Sequence, residues 1–340
     1  MNFLKRLTML FVRRFAFSAP LILGASFLSF GILRLGNSNP AILVAGPQAD
    51  AATISRISEE LGLTKPFLEQ YVMYLKKLLS GDWGTSWNSG LPVLKDLFSR
   101  IPPTLELLGF GLTLGVIGGV TLGFLAARKQ GKFLDSITKS FSLVGVSMPI
   151  FWIGLLFISL FTFNLRVFPP PLGRLGLFDL APEKVTGFFT IDSLIAGDFG
   201  LFIKSLHYLL LPALTIAVVS GSQILKQARA STLELLNSEG VRFYKSQGMS
   251  PRKINKMILQ LASPTIFTTI AMTTIYALAG SALVELIFSW GGLGQWGLAA
   301  ITSLDYAVVQ AYVLTLAIGS AIIFLALDIF VALVDKRKLQ

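Results

Sequence analysis

Hydrophobic positions in this chain gather into six long runs, near residues 15–35, 105–127, 139–164, 205–225, 264–289 and 307–334. As helices rising 1.5 Å per residue, each can cross a hydrocarbon layer of roughly 30 Å. Between the runs the pattern shortens. Thr53-Ile54-Ser55-Arg56-Ile57-Ser58-Glu59-Glu60-Leu61-Gly62 predicts a short helix with a capping residue and a glycine stop. Pro66 to Leu79 predicts another, opened by proline and carrying Leu68, Val72, Leu75 and Leu79 at helical spacing. Gly81-Asp82-Trp83-Gly84 is turn chemistry. Pro169-Pro170-Pro171 cannot stay helical and opens a second long loop at 165–204. The pattern therefore predicts an all-α integral membrane protein with six transmembrane helices. It divides into residues 1–35 (an N-terminal segment and the first helix), a partly helical loop subdomain at 36–103, and a core at 104–340.

Composition agrees with lipid as the solvent. The chain is 53% hydrophobic and 14% charged, with mean hydropathy +0.70, against a soluble norm nearer half apolar and a quarter charged. Having no cysteine and one histidine, it excludes disulfides, Cys-ligated metals and His-cluster metal sites. The net charge of +11 does not point to nucleic acid, because the basic residues sit beside apolar runs without aromatic interleaving. They mark cytoplasmic loops instead. Lys5, Arg6, Arg13 and Arg14 precede a run longer than a signal peptide's apolar core, so residues 15–35 read as a retained first span.

With the N-terminus inside, the cytoplasmic pieces are 1–14, 128–138, 226–263 and the C-terminal tail. Counting Lys139 at the membrane edge, they hold 18 of the 29 basic residues and four acids. Both termini are then cytoplasmic.

Within this frame, Gly111, Gly115, Gly119 and Gly123 form an i, i+4 series on one face of the second span. Such a face serves close helix packing or a surface on which spans slide. The basic segment 226–263 is too polar for lipid, yet keeps Ala228, Leu233, Leu235, Leu236, Val241, Phe243 and Tyr244. Gly248 breaks its helix, and Ser250-Pro251 restarts one. Either a protein surface covers these aromatics or the segment lies on the headgroups as an amphipathic helix. Glu106, Glu285 and Asp328 fall in or at the edge of spans, where a bare carboxylate is disfavoured. His207 alone gives them no proton relay, so structural roles fit all three. Gly291-Gly292-Leu293-Gly294 is too glycine-rich for a regular helix and suits an external re-entrant or gate loop. Gly131-Lys132 lacks the rest of a phosphate loop, and no nucleophile elbow occurs. The chain therefore carries no nucleotide site and no catalytic constellation of its own.

Five ordered blocks resemble the permease subunits of the dipeptide, oligopeptide and nickel ABC importers. The first external loop supplies Glu60-Leu61-Gly62-Leu63-Thr64-Lys65-Pro66 with Gln70-Tyr71, Gly81-Asp82-Trp83-Gly84-Thr85-Ser86, and Arg100-Ile101-Pro102-Pro103-Thr104-Leu105-Glu106-Leu107. Ser147-Met148-Pro149-Ile150-Phe151-Trp152 follows, with Phe168-Pro169-Pro170-Pro171-Leu172-Gly173 after it. Glu285-Leu286-Ile287-Phe288-Ser289-Trp290-Gly291-Gly292-Leu293-Gly294, then Asp305-Tyr306, completes the set.

The resemblance implies a type I ABC importer permease fold in a bacterial inner membrane. It also implies a second homologous permease subunit, two ABC ATPase subunits and an external solute-binding protein as partners, with no cofactor. The family's coupling motif falls on Gly240, Val241, Arg242, Phe243, Tyr244, Lys245 and Gly248. Family members usually carry tyrosine at the position of Gly240, alanine at those of Tyr244 and Ser246, and lysine at that of Gln247. They tend to have proline where Gly291 stands and Asp-Pro-Arg where Asp335-Lys336-Arg337 stands. Similar permeases handle peptides, nickel complexes, opines and sugars. The competing class, an ion-gradient-driven secondary transporter, favours inverted repeats and broken helices, and the sequence displays neither. A membrane scaffold displaying the 36–103 loop is the third possibility.

Overall fold

The computed structural model describes residues 3–35, 40–46, 48–60 and 62–334. The readings that fall on 36–39, Leu61 and Asp335-Lys336-Arg337 lie outside the described residues. Regular structure among the described residues is helical, apart from one isolated antiparallel bridge between Thr85 and Pro92. Among the described residues five helices are long and apolar enough to cross a membrane, and a sixth crossing exists if one bent pair counts as a span.

The chain forms two compact units. One comprises Phe11–Ile101 and Trp296–Ala321. It holds most of α1 (Phe3–Leu35), then α2 (Pro40–Ala45), α3 (Ala51–Glu60) and α4 (Phe67–Leu79). Gly62 stops α3 with φ +68, and Pro66 is the N-cap of α4, both as the sequence predicts. Val93 and Val308 are buried in its core, with Trp83 and Trp296 packed alongside. Asp305 fixes its 86–88 turn, accepting from Ser86 Oγ at 2.5 Å and from the amide of Asn88 at 3.4 Å.

The other unit comprises Met1–Leu10, Pro102–Gln295 and Ile322–Gln340. Its elements are most of α5 (Val93–Arg128), then α6 (Phe133–Ser147), α7 (Ile150–Phe157), a π-helical turn at Ile158–Asn164, α8 (Phe189–Ile195), α9 (Phe199–Asn237), α10 (Glu239–Ser246) and α11 (Pro251–Ile287). The chain ends with α12 (Leu293–Thr302) and α13 (Tyr306–Val334). The core lies where α9 meets α5, α7 and α11, with Leu107, Leu209, Ile216, Val284 and Trp290 at its centre.

Three expectations change. The run at 139–164 is not one helix: α6 and α7 meet at a bend of 110°. Met148 is extended (φ −87, ψ 135) because Pro149 disfavours a helical residue before it. The absence of broken helices therefore no longer counts against a secondary transporter. Second, helices outrun the apolar runs. α5 begins at Val93 and passes through Pro102-Pro103, α9 continues to Asn237, and α11 begins at Pro251. Third, Leu293 and Gly294 open a regular helix, α12, rather than a loop.

Candidate functional site

The polar segment 226–263 resolves into the ends of two long helices joined by a short one. Ser238 is the joint. It ends α9 and caps α10, its Oγ donating to the Leu235 carbonyl at 2.6 Å and accepting from the Val241 amide at 3.4 Å. Val241 is fully buried against Ile254 and Ile258, with Phe124, Leu235, Leu236, Met249 and Met257 around them. The rest of α10 faces outward. Gly240, Arg242, Lys245 and the paired rings of Phe243 and Tyr244, 5.8 Å apart, are exposed. Gly248 closes the turn at φ +74, its amide donating to Lys245 O and that of Met249 to Tyr244 O. Left-handed backbone there is what glycine supplies without strain. Ser250 and Pro251 then open α11, with proline at the first helical position.

The arm that carries α10 is fastened to its neighbours. A methyl group added at Gly111 would come within 2.8 Å of Ile216 Cβ, and one at Gly119 within 2.7 Å of the Gly221 carbonyl oxygen. At Gly123 it would meet the Leu225 carbonyl oxygen at 2.7 Å, and at Gly115 Ser220 Oγ at 2.6 Å. The four glycines thus lie against the backbone of α9. Toward its C-terminal end, α9 is tied to α6 by a buried carboxylate. Asp135 accepts from Arg229 Nε at 2.6 Å and Nη2 at 3.2 Å, and from the Gly131 amide at 3.0 Å. Lys139 Nζ stands 3.0 Å away. Sequence reasoning missed this node, counting Asp135 and Arg229 only as loop charges. The available signal was Asp135 itself, the single acid among the basic residues of 128–139.

Two further polar nodes hold the opposite end of the same unit. Glu285, fully buried, accepts from Thr104 Oγ1 at 2.6 Å and from the Gln295 amide at 2.9 Å. The Leu293 amide donates to the same Thr104 hydroxyl at 2.7 Å, and the Trp290 indole donates to Pro103 O at 2.9 Å. Glu285 therefore caps α12 from a distance, which lets Leu293-Gly294 be helical. Glu106 accepts from Arg174 Nη2 at 2.5 Å and from both the amide (2.8 Å) and hydroxyl (2.7 Å) of Thr190. Arg174 lies 3.5 Å over the Phe189 ring. His207 Nε2 donates to Val167 O at 2.8 Å. These groups are engaged with the protein itself.

Several apolar helices long enough to span a membrane, a bent helix pair and a short exposed helix on a polar arm are the features of a multi-pass membrane transport subunit. Residues 119–340 match the family model described as binding-protein-dependent transport system inner membrane component, and residues 7–108 match the model for the N-terminal part of such membrane components. The chain belongs to this family. It is 33% identical to the dipeptide transport system permease protein DppB of Alkalihalophilus pseudofirmus, over 96% of this chain and 98% of that protein. It is also 33% identical to the probable D,D-dipeptide transport system permease protein DdpB of Escherichia coli K12, over 93% of each. The di/tripeptide transport system permease protein DppB of Pseudomonas aeruginosa is another relative at 33%, over 96% of this chain and 97% of the relative.

Proposed function

We propose that this chain is the transmembrane permease subunit of an ATP-driven importer for short peptides or closely related solutes. It works with a second homologous permease subunit, two ABC ATPase subunits and an external solute-binding protein. Both termini and α10 face the cytoplasm, and ATP is hydrolysed by the partner subunits rather than here. The names of the relatives support peptides as the solute class. The observation that carries the coupling role is α10: one buried residue, Val241, roots it, and Phe243 and Tyr244 project outward. An exposed aromatic pair on a short capped helix fits a cleft on a soluble partner.

Movement of that partner is transmitted as rigid-body displacement. α10 is continuous with α9 through Ser238, and α9 is locked to α5 by the glycine face and to α6 by Asp135–Arg229. The 110° bend between α6 and α7 supplies a place where the displacement can be absorbed.

The bent span also suits a gradient-driven carrier, and the energy source separates the two. Purification from native membranes is expected to bring down a second permease and ATPase subunits, and uptake is expected to stop on ATP depletion. Phe243→Asp is expected to abolish uptake while leaving membrane insertion and melting temperature unchanged. Uptake by the purified chain alone under a proton or sodium gradient would falsify this reading.

A further inference from the structure

α4 is built from three sides. Phe67, Tyr71 and Tyr74 face α1: Phe67 and Tyr71 meet the Phe27 ring edge-on at 5.7 and 5.1 Å, and Tyr74 stacks on Phe30 at 5.4 Å. The Tyr71 hydroxyl donates to Leu23 O at 3.1 Å and lies 2.7 Å from Ser26 Oγ. The second side carries Glu69, Lys76 and Lys77, all exposed. The third carries Leu68, Val72, Leu75 and Leu79, the stripe that sequence periodicity picks out as apolar. It is largely uncovered, with Leu68 66%, Val72 49% and Leu79 89% exposed. At helical spacing this stripe adjoins the aromatic side, so the apolar arc is continuous and only part of it is used on α1.

Depth fixes what covers the remainder. α1 is long and apolar enough to cross a membrane over Ala16–Arg34. Phe27 and Phe30 stand seven and four residues before Arg34, about 10 and 6 Å along a helix rising 1.5 Å per residue. A helix pinned to those rings, with its Tyr71 hydroxyl on Leu23 O about 16 Å from Arg34, lies in the leaflet on the Arg34 side, its docking face reaching below the boundary between headgroups and acyl chains. Water at that depth would leave three large aliphatic side chains wet, whereas lysines at 76 and 77 reach the headgroups on flexible stems.

We propose that α4 is a lipid-embedded interfacial helix, not part of a water-exposed loop. Its Leu68–Val72–Leu79 stripe contacts acyl chains of the leaflet on the Arg34 side, and the Phe27/Phe30–Phe67/Tyr71/Tyr74 cluster docks it on α1. The partner surface is the bilayer itself. The inference rests on the membrane span of α1 and is independent of solute and energy source.

Because the chain has no cysteine, each single-cysteine variant carries one thiol in this chain, and the cysteine-free parent with its accompanying subunits sets the background. Val72→Cys and Leu79→Cys, with Glu69→Cys as the water-facing control, are placed in the full chain, purified with its accompanying subunits and reconstituted in nanodiscs. Two readouts are taken: the rate of reaction with a charged, water-soluble maleimide, and quenching of a bimane label by lipids bearing doxyl groups near the headgroup. Positions 72 and 79 are expected to react at least an order of magnitude more slowly than 69, and their labels to be quenched strongly. Reaction at the rate of position 69 overturns the proposal, because the stripe then faces water. Slow reaction without quenching also overturns it, because protein then covers the stripe. Leu68→Cys supplies a second reading of the same face if either variant fails to assemble.

Discussion

The arm around α10 and the polar frame at 102–106, 174–192 and 285–295 belong to one compact unit and are built on opposite rules. In the frame, carboxylates are buried and each is bonded: Glu285 to Thr104 and the Gln295 amide, Glu106 to Arg174 and Thr190. In the arm, aromatic rings are left in the open and one buried valine holds the helix down. A protein that buries charge and exposes rings inverts the usual preference. On the proposed reading, the inversion separates a frame that keeps one arrangement from an arm that a partner grips.

The largest expected effect attacks the frame. Glu285→Ala strands the Thr104 hydroxyl and the Gln295 amide in the interior, at about 1–3 kcal/mol for each unsatisfied group. The variant is expected to melt well below the parent in detergent, while Glu285→Gln, which keeps an acceptor, stays closer. Equal melting of Glu285→Ala and the parent would remove the frame from the comparison.

Arg229→Met comes next. It leaves the buried Asp135 with Lys139 and the Gly131 amide, and breaking a buried pair costs about 3–5 kcal/mol where no partner remains, so the loss here is smaller. It should lower thermal stability and also loosen α9 from α6, read as faster amide exchange in α6.

Acid tests the frame more gently. Burial pushes the Asp192 carboxyl up, but hydrogen bonds from the Thr186 hydroxyl and from the amides of Thr186, Gly187 and Val185 outweigh it and hold it below the usual range. A lowered carboxylate contributes stability that is complete above its unfolded value of about 4 and is lost as pH falls through the folded value. Amide protection of 185–192 should therefore fall below about pH 4, and Asp192→Asn should flatten that dependence.

The smallest expected effect is in the arm. Gly240 has open space around its Cα on the Cβ side, so Gly240→Ala should firm α10 by up to about 1 kcal/mol without moving the global melting point. Amide exchange within α10 is the measurement. A shift of the global transition would mean that the arm is as integral as the frame.

The sequence made the arm easier to read than the frame. Ser238, Gly248 and Ser250-Pro251 act locally, through capping and left-handed backbone, so their effect is written in neighbouring residues. The glycine face was equally legible as a pattern, although its partner, the α9 backbone, was not. The frame's bonds join residues far apart in the chain, Thr104 with Glu285 and Glu106 with Arg174, and nothing local announces such pairs.

Proline was the ambiguous signal. Pro149 breaks its span, whereas Pro102, Pro103, Pro212 and Pro264 sit inside continuous helices. The α4 stripe was visible as apolar spacing, but which side of the helix meets α1 depended on the aromatic contacts.

The claim that α10 is a handle is tested most directly by photo-crosslinking from a benzoylphenylalanine placed at position 243 in native membranes. An adduct with an ATPase subunit, its yield changing when ATP is added, is the predicted result. Adducts with lipid alone, or none under both conditions, would contradict the account.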